Sequence, residues 1–194
     1  MVTAQEVLEF WLDEVGEAAW YNPSAGLDDQ IRERFEPVWQ AAREGTCGLW
    51  LTYPSGLLAY IILLDQLPRN MFRNAPEAFA TDHAALAAAK VAIERKWDMR
   101  IDEPARQFFY LPLMHSENLC DQDRCVRLML ERLPLTGESN LLHARAHREV
   151  IRLFGRFPDR NTARGRASTR NEQDYIANGG YAETLRALQS SKAA

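Results

Sequence analysis

The chain of 194 residues lacks any long hydrophobic run. Its longest apolar stretch, Leu57 to Leu64, falls far short of the ~20 residues that span a bilayer. The start, MVTAQEVLEFW, lacks the basic segment and small-residue cleavage site of a secretory signal. A cytoplasmic protein with no membrane contact is expected. Cysteine is scarce: the three residues Cys47, Cys120 and Cys125 are an odd set with no CxxC pair, as suits a reducing cytosol. They are expected to be small buried apolar residues. There is no GxSxG, no Walker loop and no aromatic-interleaved RNA motif. Seryl hydrolase, P-loop and nucleic-acid-binding functions therefore have no support, and the net charge of −4 adds none for nucleic acid. No strand-period alternation and no low-complexity segment appear.

What the chain does have is helical periodicity. Apolar residues make up 46% of it and charged residues 26%, enough for one globular domain over 1–194 with a real core. Thr3 and Glu6 fit a capping box ahead of Val7, Leu8, Trp11, Leu12 and Val15, and Gly16 closes that helix. A linker holding Trp20 and Pro23 follows. A second helix is expected from Asp28, buried through Ile31, Phe35, Val38, Trp39 and Ala42, with a kink at Pro37. The third, from about Pro54 to Leu67, is apolar on every side and should be central. A fourth follows Thr81 and Asp82, with Leu86, Ala89, Ile93 and Trp97 on one face. A short helix over 104–111 should stop before Pro112. The next, 116–133, is buried through Cys125, Val126, Met129, Leu130 and Leu133. Another runs from about Ser139 to Phe154. Thr169 and Glu172 form a second capping box, and a short tail helix can follow Gly179 and Gly180. The expected fold is all-α, built of helix pairs.

Two segments carry the chemistry. LLDQLPRNMFR (63–73) and FGRFPDRNTAR (154–164) each run from apolar residues into proline, arginine and asparagine. Asp65 follows eight apolar residues at the expected C-terminal end of a helix, where the helix dipole disfavours a carboxylate. A buried charge needs a partner. Arg69, Arg73, Arg156 and Arg160 are candidates, since a guanidinium fork suits a carboxylate or an anionic ligand. Gln66, Asn70 and Asn161 complete the two corners. Six arginines and one acid, Asp159, lie between Arg152 and Arg170. Neutralising the acids of the Asp65 and Glu117 segments is the simplest use for that run.

A further group lies in YLPLMHSENLCDQDR (110–124). His115 precedes a helix on which Glu117 and Asp121 share a face. These residues can bind a divalent metal, though no metal motif stands out, form an acid–base pair with His115 as general base, or make a cap and a solvated face. His143 and His147 are four apart, but Ala144 stands where the HExxH motif needs glutamate, so hydrogen-bonded core histidines are expected. No metal and no cofactor are implied.

The runs LLAYIILLDQLPRNMFR, AFATD, FYLPLMHSENLCDQ and FGRFPDRN, with VLEFW near the start, resemble the bacterial family called domain of unknown function 924. The resemblance covers nearly the whole chain. It implies antiparallel helix pairs stacked in a bundle similar to tetratricopeptide repeats, and no established activity. Asp65, Gln66, Arg69, Asn70, His115, Glu117, Asp121, Arg156, Arg160 and Asn161 match the family pattern. Met114 and Asp159 depart from it, standing where a polar residue and a histidine are frequent. Three readings remain open at this point. One is a binding protein holding a small anion among these residues and Arg73. Another is a scaffold for a protein partner, with Trp20, Tyr21, Trp50 and Trp97 as candidate contacts. The third is a His115 acid–base enzyme.

Overall fold

A computed structural model describes residues 2–22 and 24–192; Pro23 of the expected linker lies outside them. Every regular element is helical, and no strand occurs among the described residues. The chain divides into two compact units, Met1–Pro112 and Leu113–Ala194.

In the first unit, α1 (Ala4–Leu8) opens with the expected reciprocal Thr3–Glu6 capping box. It continues as a π-helical stretch, Glu9–Val15. The wider turn puts Phe10 and Trp11 inside and leaves Leu12 only half-buried, which a regular helical spacing does not anticipate. Helix α2 (Ala25–Arg43) starts three residues before Asp28, because the Ser24 hydroxyl accepts the Leu27 N–H. It carries Pro37 internally and buries the expected Ile31, Phe35, Val38, Trp39 and Ala42.

Helix α3 (Pro54–Ile61) packs against α1, and against α5 (Asp82–Glu94). Gly56 allows a close approach: a Cβ there would lie 2.5 Å from the Tyr53 ring and 2.6 Å from the Trp50 carbonyl oxygen. The facing stripe of α5 is Ala85, Ala88, Ala89, Ala92 and Ile93. Ala89 and Ile93 are buried as expected, whereas Leu86 is half-buried and Trp97 lies beyond the helix end, so mostly small residues set the contact.

The helix does not end at Leu67 as expected. It widens into a π turn, Ile62–Gln66, and runs on as α4 (Leu67–Met71) through Pro68. Proline has no N–H, so the Leu64 carbonyl loses its ordinary α-helical donor at position 68. The Thr81 hydroxyl donates to Leu64 O at 2.6 Å, and the Trp39 indole N–H donates to Thr81 Oγ1 at 3.1 Å. All three groups are buried. The helix expected over 104–111 is a turn of 3-10 helix, Ala105–Phe109, which stops before Pro112 as expected; a separate short helix, α6 (Leu111–Met114), then carries Pro112 near its start.

In the second unit, α7 (Leu119–Arg132) is capped by Asn118 and packs on α8 (Glu138–Phe154). Its buried face is Asp121, Gln122, Cys125, Leu128 and Met129, while the expected Leu130 is exposed. Gln122 takes an inside position because its amide donates to Met114 O at 2.6 Å and Ser116 O at 2.7 Å, satisfying carbonyls at the end of α6. α9 (Arg170–Ala177) has the expected Thr169–Glu172 capping box. α10 (Gly180–Lys192) is longer than the short tail helix expected and packs on α8. Of the cysteines, Cys47 and Cys125 are buried as expected, but Cys120 is exposed in the first turn of α7.

Thr81→Val tests the Trp39–Thr81–Leu64 chain. It keeps the shape and leaves two buried polar groups without partners. Stability should fall by about 1–3 kcal/mol in urea unfolding, and Thr81→Ser should retain most of it.

Candidate functional site

The corner of the first unit is built around Asp65. Its side chain is fully buried in the π turn, not in the last turn of a helix. The Gln66 amide donates to Asp65 Oδ2 at 2.9 Å. Arg69 is the arginine that Asp65 requires. Its guanidinium donates to the Asp65 backbone oxygen and lies 3.4 Å from Asp65 Oδ1 and 2.9 Å from Asp82 Oδ1. The other candidate in this unit, Arg73, forks onto Asp28 instead, where Asn70 also donates at 2.9 Å. Burial pushes the Asp28 carboxyl upward, but the bonds from Arg73 and Asn70 outweigh it and hold the pKa below the usual value.

Asp28 and Asp82 read in the sequence only as helix starts. Their charge is what occupies the arginines. Gln107, which nothing local marked, and Tyr21, marked only as a candidate partner contact, also belong here: the Tyr21 hydroxyl donates to Gln107 Oε1.

The corner of the second unit gathers at Phe157. Glu117 accepts the Phe157 N–H at 2.9 Å and a two-point fork from Arg166 at 2.7 and 2.9 Å. Burial raises the Glu117 pKa, while Arg166 and the Phe157 N–H lower it further, for a net depression. Arg160 is buried, its guanidinium 4.1 Å from the Phe157 ring centroid, and it donates to the His115 carbonyl at 2.9 Å. Arg156 forks onto Glu172 at 2.6 and 2.8 Å, which holds that carboxyl far below its usual range. Buried Asn161 donates to Ser168 Oγ at 3.1 Å, and Asp121 accepts from Ser116 Oγ at 2.9 Å.

His115 is half-buried, its ring centroid 6.3 Å from that of His147. Both oxygens of Glu117 are committed to Arg166 and Phe157. Arg166 was visible only as one of a run of arginines. Glu172 was visible only as a cap. Each corner draws its described partners from its own unit. Among the described residues, no group of three or more His, Cys, Asp or Glu side chains could hold a metal. No helix among them is long and apolar enough to cross a membrane.

The fold and these two corners define an all-helical protein whose charged residues are organised around helix ends. The sequence profile of a family described as bacterial protein of unknown function (DUF924) matches residues 7–180, and the chain belongs to that family. It is also similar to a solved structure, a protein of unknown function, ATU0120, from Agrobacterium tumefaciens. The two share 37% sequence identity with a TM-score of 0.84, over 91% of this chain and 97% of that one. No curated protein matches.

Two predictions follow from the pairing. Arg69→Met leaves the buried Asp65 without its guanidinium and should cost about 3–5 kcal/mol, whereas Arg73→Met, removing a half-exposed partner, should cost ~1 kcal/mol or less. Urea unfolding distinguishes the two. For Glu117, a folded pKa below the ordinary 4.5 gives stability that is present above pH 4.5 and lost as pH falls through the folded value. Glu117→Gln should therefore flatten the loss of stability below pH 4.5 and lower the plateau above it, read from unfolding curves between neutral pH and pH 3.

Proposed function

We propose that the chain is a binding protein for a small anion, a carboxylate or phosphate, held at the arginine corner of the second unit by Arg156, Arg160 and Arg166. The observation that carries this is a charge contrast. Residues 113–194 hold thirteen basic and ten acidic residues, a net +3, and twelve of the thirteen are arginine. Residues 1–112 hold ten basic and seventeen acidic residues, a net −7. Clustered arginines favour planar oxyanions, which accept two parallel hydrogen bonds from one guanidinium. Glu172 and Glu117 orient the forks of Arg156 and Arg166, Asp121 bonds Ser116 beside them, and His115 lines the same corner. Asn161 holds the turn that carries Arg160.

In the first unit acids outnumber arginines. Asp65, Gln66, Arg69, Asn70 and Arg73 serve there as a clamp on the helix that crosses Pro68. The scaffold and enzyme readings rest on less. Of Trp20, Tyr21, Trp50 and Trp97, only Tyr21 is largely exposed, and its hydroxyl is committed to Gln107. A His115 general base would need a carboxylate to orient it; Glu117 is bound to Phe157 and Arg166, which leaves that role to Asp121.

The test is a thermal-shift and calorimetric titration at low salt with inorganic phosphate, pyrophosphate and malonate. An anion at ~100 times its dissociation constant should add ~2.7 kcal/mol of stability. The gain should be lost in Arg160→Gln and kept in Arg73→Gln, and it should weaken as salt is raised. No gain with any of the three anions, or an equal gain in both variants, contradicts the proposal.

A further inference from the structure

Helix α10 is weakly seated. None of residues 180–190 is buried; Gly180, Tyr181, Thr184, Leu185 and Leu188 are half-buried and the rest of that stretch is largely exposed. Its apolar contact is small: Tyr181, with Phe154 of α8 and Tyr175 of α9, packs on Val150, Ile151 and Phe157. The Tyr175 hydroxyl meets Thr184 Oγ1 at 2.9 Å.

Its most specific attachment is polar. Tyr181 Oη lies 2.6 Å from His143 Nδ1 and 3.1 Å from His147 Nδ1. His147 Nδ1 is also 2.9 Å from the His143 carbonyl, which only accepts, so this nitrogen carries the proton. That one N–H is shared between the carbonyl and Tyr181 Oη. The tyrosine proton then has His143 Nδ1 as its acceptor, at the shorter distance of 2.6 Å, when that nitrogen is unprotonated. The full bridge is made with a neutral His143. A proton on that nitrogen removes the acceptor of the tyrosine hydroxyl and sets two N–H donors against one oxygen.

We propose that α10 is an acid-released strap, fastened to α8 at neutral pH by the hydrogen-bonded bridge from Tyr181 to His143 and His147. Its release uncovers the apolar surface of Val150, Ile151 and Phe157.

The surroundings reinforce the need for neutral imidazoles. Burial pushes both histidines down, His147 to about 3, and nearby His115 and Arg160 add positive charge on the His147 side. From α7, Asp123 faces α8 but is taken up by Arg148. Asp159, after α8, acts on Tyr181 and Tyr175 and raises their pKa values, as burial does more strongly.

Well above pH 6.5 the histidines are neutral whether α10 is docked or not, so docking is independent of pH. Below 6.5 the undocked histidines take protons that the docked ones refuse. Docking then weakens by roughly tenfold per pH unit for each histidine involved. A lightly held helix responds to such a change before the rest of the unit does.

The experiment is amide hydrogen exchange on the full chain at pH 7.5, 6 and 5, corrected for the intrinsic exchange rate. Protection of residues 181–190 should fall at least tenfold between pH 6 and 5 while that of α7 holds. Tyr181→Phe should lower α10 protection about two- to tenfold at pH 7.5. A His143→Gln, His147→Gln double variant should lose the pH dependence. Ring titrations of the parent by NMR, which need no variant, should place both histidines below 6.5. The proposal is overturned if α10 protection is flat from pH 7.5 to 5, if it falls only in step with α7, if the double variant keeps the parent's pH dependence, or if His143 titrates at its ordinary value.

Discussion

Pro68 has no N–H, and a helix that runs through it must find another donor for the Leu64 carbonyl. Much of the first unit is arranged around that requirement. The helix opens into a π turn, which relieves the contact between the proline ring and the preceding turn. Thr81 reaches across from the start of α5 to bond Leu64 O, and Trp39 of α2 fixes the hydroxyl in turn. The same turn exposes the Asp65 carbonyl to Arg69, which then lies between the carboxylates of Asp65 and Asp82. One missing hydrogen atom thus ties α2, the π turn, α4 and α5 together through buried polar groups. A buried carboxylate is tolerated because its arginine and amide partners are supplied by the segment that proline reshapes.

The two Pro-Arg-Asn corners look alike in sequence but differ electrostatically. In the first, Arg69 and Arg73 meet Asp28, Asp65 and Asp82, so the region carries more negative than positive charge. In the second, Arg160 and Arg166 meet Phe157 and Arg156 forks onto Glu172, within a basic half of the chain. That contrast is why we propose a structural clamp at the first corner and an oxyanion at the second. The bridge that holds α10 is different again. It depends on neutral groups, and acid weakens it where acid leaves the arginine forks charged.

Local chemistry was legible in the sequence. Both capping boxes form as their spacing implies, since every atom involved lies within four residues. The need of Asp65 for an arginine followed from burial alone, and Arg69, one helical turn away, answers it. The centrality of the Leu57–Leu64 run was equally plain, because no helix face was polar. The misreadings came from geometry that departs from the ordinary α-helical turn, or from partners far away in sequence. Pro68 looked like a terminator because a π turn cannot be read from periodicity. Leu130 looked buried and Gln122 did not, because the carbonyls at the end of α6 that require Gln122 are irregular backbone. The Arg73–Asp28 and Arg166–Glu117 pairs span 45 and 49 residues. Nothing in a single sequence selects such partners among 23 basic and 27 acidic residues.

A double-mutant cycle between Pro68→Ala and Thr81→Val, read by urea unfolding, measures whether Thr81 replaces the donor that Pro68 lacks. Alanine at 68 restores an N–H able to reach Leu64 O, so the loss of Thr81 should matter less in that background. The account predicts a coupling of about 1 kcal/mol or more, with Thr81→Val costing less when residue 68 is alanine. Additive effects, within roughly 0.5 kcal/mol, would contradict it.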